Sequence, residues 1–214
     1  MLLSREARIE ALAAETRERW SWSGQCCPDV VTGLFKLKHE GRIHGYLRVP
    51  DVDLPEDEAE FDPHTGLLRM RESVFCAAND PLSSSTKKKR ARFTIMHEIG
   101  HVLLEHKGTR HRNVSDRKIE KILMGTRVDE AEANRFAGAF LLPPELVDLS
   151  SSPTALQLSN EFLVSERSAE VRLQELHAID RRKSKTKRVP PAEVLEFLRE
   201  AKAKGFNITS LDDE

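Results

Sequence analysis

With 214 residues, 39% of them hydrophobic and 32% charged, the chain can bury the core of one medium domain plus a small appendage, and its formal net charge of −1 excludes a global pull towards nucleic acid or acidic membranes. Nothing approaches a run of about 18 apolar residues, and Met1-Leu2-Leu3 passes at once into charged sequence, so neither a membrane span nor a signal peptide is expected. The 3 cysteines, two of them adjacent as Cys26-Cys27, suit neither a disulfide framework nor a C-x-x-C knuckle and predict reduced thiols in a cytoplasmic protein.

In chain order, Ser4 to Arg19 predicts a helix with Ile9, Leu12 and Ala13 facing inward, and Trp20 and Trp22 packed at its end. Val30 to Val49 holds apolar stretches broken by Gly33, Gly41 and Gly45, as expected for short strands or a hairpin. Asp51 to Asp62 is acidic, contains Pro55, and predicts an exposed loop. From Leu67 to Val74 the pattern alternates, Leu68 and Met70 against Arg69 and Arg71, which predicts a strand with one wet face. Pro81 to Thr86 reads as a serine-rich turn into the next helix.

That helix carries His97-Glu98-Ile99-Gly100-His101, an H-E-x-x-H motif. Residues four apart on a helix lie on one face with Cβ atoms roughly 5–6 Å apart. Two imidazoles at this spacing can close on one metal ion at about 2.0–2.1 Å. Glu98 lies about a quarter turn away, placed to reach water at the ion without coordinating the ion itself. Two surface histidines on an ordinary helix would share the spacing, but the flanks argue otherwise. At helical periodicity Ile95, Met96, Ile99, Val102 and Leu103 fall on one arc, and His97 and His101 lie opposite with Thr94 and Glu105. His106 falls on the apolar arc and reads as a helix-end or core histidine rather than a ligand.

A catalytic zinc site takes three protein ligands and leaves its fourth position open. Asn113 to Val128 is expected to link the motif helix to an alanine-rich helix over Asp129–Leu142, ended by Pro143-Pro144. Two glutamates there compete. Glu130 shares a face with Asn134, Ala137 and Leu141, beside the apolar side of Ala133, Phe136 and Phe140, whereas Glu132 lies on the far side near Arg135. This selects Glu130 as third ligand, Asn134 as the hydrogen-bonding partner that orients a ligating histidine, and Glu132 as a solvated charge. Alanines around Glu130 would let the two helices approach closely.

Pro144 to Asp180 predicts two short helices meeting at a turn, with Ser165 capping the second. Lys87 to Arg90, Lys107 to Lys118 and Arg181 to Arg188 are basic clusters nearly free of aromatics, so base stacking has little to work with. Arg181 to Arg188 reads as a linker to a last helix, Ala192–Lys204, followed by the acidic end Asp212-Asp213-Glu214.

Arg92 to His101, followed by Glu130-x-x-Ala133-Asn134-x-Phe136-Ala137 and Leu141-Leu142-Pro143, resembles the ImmA/IrrE family of metallopeptidases, itself similar to the gluzincins. Met96 departs from the alanine that commonly precedes the first histidine. The resemblance implies an α+β fold: a zincin-like core with a small antiparallel or mixed sheet over 1–145, a helix-turn-helix-like unit over 146–180, and a basic linker, terminal helix and tail over 181–214. It implies metal ligation by His97, His101 and Glu130, general-base duty for Glu98, and Zn2+ as the ion, with another divalent transition metal such as Mn2+ as the variant. It further implies cleavage of a helix-turn-helix repressor, which would switch on mobile-element or DNA-damage genes. In gluzincin-like proteases a substrate adds alongside an edge strand, and Gly66–Arg71 is read either in that role or as an ordinary sheet strand. For the carbonyl oxygen of the substrate, Tyr46, His44, His106 and His111 are all candidate donors, and no spacing separates them. The tight-turn glycine usual in DNA-binding helix-turn-helix units is absent, Leu163 standing near that point, so packing support is favoured over DNA reading for 156–176. The alternative from another class is a DNA- or protein-binding regulator in which the metal is structural.

Overall fold

The protein, seen in a computed structural model, is described over residues 4–55, 57–81, 85–106, 116–186 and 192–204. Its chain forms two compact units, Met1–Gln174 and Glu175–Glu214. The fold is α+β, mostly helical with one small sheet, as expected.

In the first unit, helix α1 (Arg5–Arg19) starts where the Ser4 hydroxyl accepts from Ala7 N at 3.2 Å. It buries Ile9 and Ala13, and beyond it Trp20 and Trp22 meet edge to face at 5.2 Å and close over Phe140 at 5.8 and 5.9 Å.

Val30 to Val49, expected as strands or a hairpin, instead begins with helix α2 (Val30–His39) and only then forms strand β1 (Gly45–Val49). Val30, Val31, Leu34 and Leu37 bury one helical stripe under an Asp29 cap. Gly33 is no break: an added Cβ would sit 3.1 Å from the Trp20 ring and 3.2 Å from Ile99 Cδ1, so the glycine makes room for packing. Gly41, at φ +68°, ends the helix, its neighbour Arg42 N donating back to Leu37 O at 2.9 Å.

The acidic stretch expected as a loop contains a buried Leu54 and strand β2 (Ala59–Asp62). Strand β3 (Leu67–Arg71) buries Leu68 and Met70 completely, but the alternation stops at Arg71, and Glu72–Asn79 form helix α3. The sheet order is β1-β3-β2, with β1 parallel and β2 antiparallel to β3. Gly66–Arg71 therefore runs along the middle of the sheet, the ordinary sheet strand of the two readings, and β1 and β2 are the edges.

Helix α4 (Thr86–Leu103) carries the H-E-x-x-H motif and begins at Ser85, whose hydroxyl accepts from Lys88 N at 3.3 Å; Leu82 to Ser84 of the expected turn lie outside the described residues. Helix α5 (Asp116–Leu141) takes in most of the segment expected as a link, while Lys107 to Ser115 lie outside the described residues. Helix α4 packs against α5, α2, α3 and β2, and α1 packs against α5. Helices α6 (Ala155–Glu161) and α7 (Glu166–Thr186) meet at the predicted turn, where Ser165 Oγ accepts from Ser168 N at 3.0 Å and Leu163 takes the left-handed φ of +50° that the missing glycine would favour. The buried Arg172 binds Glu10 of α1 with two contacts of 2.7 Å and donates to Leu142 O at 3.0 Å.

In the second unit, Arg181 to Thr186 are the end of α7 rather than linker, and α8 (Ala192–Ala203) is the expected last helix. Lys187 and Arg188, like Met1 to Leu3 and Asp212 to Glu214, lie outside the described residues.

Candidate metal centre

Gly100 sets the geometry between α4 and α5. A Cβ there would lie 3.1 Å from Phe136 Cδ1 and 3.3 Å from the Cα and carbonyl oxygen of Ala133, so the helices touch backbone to backbone. Glu130, one turn before Ala133, is thereby carried over the two motif histidines. His97 Nε2 and His101 Nε2 stand 3.0 Å apart. Glu130 Oε2 is 3.2 Å from the former and Glu130 Oε1 3.4 Å from the latter. These three groups offer donor atoms converging on one point.

A tetrahedron with arms of about 2.0–2.1 Å has edges of about 3.3–3.4 Å, and the donor separations here, the two to Glu130 running to different carboxylate oxygens, are close to that size. The remaining ring nitrogens face away. His97 Nδ1 lies 3.0 Å from Asn134 Oδ1 and His101 Nδ1 lies 2.9 Å from His106 Nδ1. Asn134, read from the sequence as the partner that orients a ligating histidine, lies against His97.

Electrostatics follow from burial and these contacts. Hydrogen bonds from His101 and His97 hold the Glu130 carboxyl well below the usual carboxylate range. Burial pushes the His97 imidazole down, yet its hydrogen bond to Glu130 and the charge of Glu98 outweigh this and leave it raised. Glu98 is 7% exposed, and burial raises its carboxyl against the opposing pull of His97 and His101. It also accepts a hydrogen bond from the Phe61 backbone N–H.

That contact lies on the free edge of β2, one of the two edges of the sheet. Arg71 N donates to Glu58 O at 3.0 Å, so residues 58, 60 and 62 turn their backbone groups to β3. Ala59 and Phe61 turn theirs outward. The outward edge borders a cleft of about 210 Å³ lined by Ala59, Phe61, Glu98, both motif histidines and Glu130. Larger hollows exist among the described residues, one of about 520 Å³ beside Phe35 and Phe75 and one of about 600 Å³ beside α1, and neither is lined by a histidine.

Glu132, expected as a solvated charge, is largely covered, its side chain 12% exposed: it pairs with Arg5 and lies 3.2 Å from His106 Nε2. Helix α1 covers that face of α5, and nothing within the local sequence of α5 signals it. His106 is a buried helix-end residue, as expected, but it touches the histidine pair. Of the other candidate oxyanion donors, His44 binds Thr65 O at 2.8 Å and Tyr46 packs between Phe35 and Phe75 on β1, across the sheet from the cleft. His111 lies outside the described residues.

Residues 82–174 match the family model described as the IrrE N-terminal-like domain, Peptidase_M78. Comparison with curated proteins and with solved structures returned no match.

Proposed function

From the premise that the chain belongs, through residues 82–174, to the ImmA/IrrE family of metallopeptidases, we propose that it is a zinc-dependent endopeptidase of zincin-like architecture that cleaves a helix-turn-helix transcriptional repressor and so derepresses the repressor's target genes. The observation that carries the peptidase reading is the convergence of His97, His101 and Glu130 beside a carboxylate, Glu98, that does not join them. A structural zinc site is normally closed by four protein ligands and has no use for such a neighbour.

His97 and His101 would hold the ion through Nε2 and Glu130 through its carboxylate, with Asn134 fixing the His97 ring through Nδ1. When bound, zinc supplies Lewis acidity and lowers the pKa of a coordinated water to about 7. Glu98 accepts the proton of the attacking water and passes it to the departing amine. Its burial favours the protonated form, which suits a group that must hold a proton between the two transfers. The outward backbone groups of Ala59 and the Phe61 carbonyl, with the Phe61 N–H held by Glu98, offer an extended substrate main-chain pairing along β2, and such pairing tolerates varied side chains. The repressor assignment rests on family likeness and on this sequence-tolerant edge.

Glu98→Gln tests the reading by co-expression with any small helix-turn-helix protein found encoded beside this chain, and with purified protein for metal content and melting. We expect the variant to keep one zinc per chain and its melting temperature while cutting falls by roughly 10²–10⁴-fold. Cleavage at the wild-type rate would sink the proposal.

A further inference from the structure

The chain bends sharply after α4. Glu105 adopts φ +57°, and His106 N donates back to His101 O at 3.1 Å. A non-glycine residue in this region costs on the order of 1 kcal/mol. The turn brings His106 under the helix end, 8% exposed, with its Nδ1 2.9 Å from His101 Nδ1. Its other nitrogen lies 3.2 Å from Glu132 Oε2, and Glu132 in turn pairs with Arg5 of α1.

We infer that His106 is a positioning residue for the metal site, holding His101 in the one tautomer and ring orientation that can bind the ion, and that Glu132 does the same for His106. The inference rests on the proposed metal site. Proton bookkeeping leaves a single arrangement. His101 Nε2 faces His97 and Glu130, so its lone pair must be free for the ion and its proton must sit on Nδ1. That N–H needs an acceptor, and the atom facing it is His106 Nδ1. His106 must then carry its own proton on Nε2, where Glu132 accepts it. The other carboxylate oxygen of Glu132 pairs with the Arg5 guanidinium.

His106, Asp129 and Glu132 could in outline hold an ion of their own. Arg5 already supplies the positive charge, however, and Asp129 stands 3.9 Å from His106 Nε2, beyond hydrogen-bonding distance. The two metal-facing histidines are thus braced by different means: His97 by an amide on α5, His101 by an imidazole, a carboxylate and a guanidinium reaching back to α1.

The test is zinc affinity of the metal-stripped full chain, measured with zinc alone by chelator competition alongside metal-free melting temperature. His106→Leu should bind zinc about 10–100-fold more weakly. His106→Asn places an amide oxygen near the position of Nδ1 and should restore most of that loss. Glu132→Met, which removes the last acceptor, should weaken zinc binding without touching His106, and it decides the matter should His106→Leu not fold. Wild-type affinity in both His106→Leu and Glu132→Met overturns the inference while leaving the metal site intact. Equal weakening by the leucine and asparagine variants overturns it too, because a hydrogen bond would not then be the cause. Failure of the wild-type chain to bind one zinc would instead strike the site itself.

Discussion

Glu130 and His97 pull each other's proton affinities in opposite directions, and the metal-free protein should feel both. The Glu130 carboxyl is lowered from its ordinary value of 4.5, so its contribution to stability is present above that pH and is lost as pH falls through the folded value. His97 is raised from 6.5; its contribution is fully present below that pH and disappears as pH rises through its folded value. The pair therefore stabilises the metal-free chain most between the two ordinary values. Glu130→Gln should lower the melting temperature of metal-free protein most at about pH 5.5, with the difference shrinking towards about pH 8. A difference independent of pH over that range would show that the ion pair is not what Glu130 contributes. At this scale the grouping of His97, His101 and Glu130 is legible in the sequence. Spacing alone paired His97 with His101, and helical faces chose Glu130 over Glu132. Glu132 was misjudged because the face of α5 that it occupies is covered by α1, more than a hundred residues away in sequence.

Among elements, the contact of α4 with α5 decides whether the three groups converge. Gly100→Ala illustrates the balance. Alanine gains up to about 1 kcal/mol of helix propensity over glycine. Its Cβ, however, would press on the Ala133 backbone at 3.3 Å as well as the Phe136 ring at 3.1 Å, and backbone cannot swing aside. Overpacking of that kind typically costs about 1–3 kcal/mol. We expect net destabilisation of up to about 2 kcal/mol by denaturant melts, with zinc affinity falling as α5 is pushed off the histidines. A variant more stable than wild type and binding zinc normally would mean that the helices can part at no cost. The alanines of α5 announced this close approach in the sequence. The glycines of α2 misled, since a Gly that admits an indole ring and a Gly that ends a helix look alike until the Trp20 partner is known. Sequence left Gly66–Arg71 open between an edge strand and an ordinary sheet strand for a related reason: alternation reveals that β3 is half-buried, but only the pairing of β1 and β2 on either side of it shows that it is interior.

For the whole chain, the question is whether its basic clusters serve a nucleic acid or the fold. Of the cluster at the start of α4, Lys88 binds Asp80 O, Lys89 binds Ser159 Oγ at 2.8 Å and Asn160 Oδ1 at 3.0 Å, and Arg90 pairs with Glu58 at 2.8 Å. Each of these cations already has a partner within the first unit, one of them on α6, so neutralising phosphates would first require breaking internal contacts. Glu58 in turn accepts from Thr94 at 2.9 Å, tying the start of β2 to the motif helix. These charges fasten the elements around the cleft. Non-specific DNA binding is carried by phosphate contacts and weakens steeply with salt. The full chain should therefore fail to retard duplex DNA even at low salt, while Lys89→Ala lowers thermal stability by loosening α6 from α4. Retardation that weakens with added salt and survives Glu98→Gln would reverse the assignment: the chain would then act by binding, and the metal site would serve the fold.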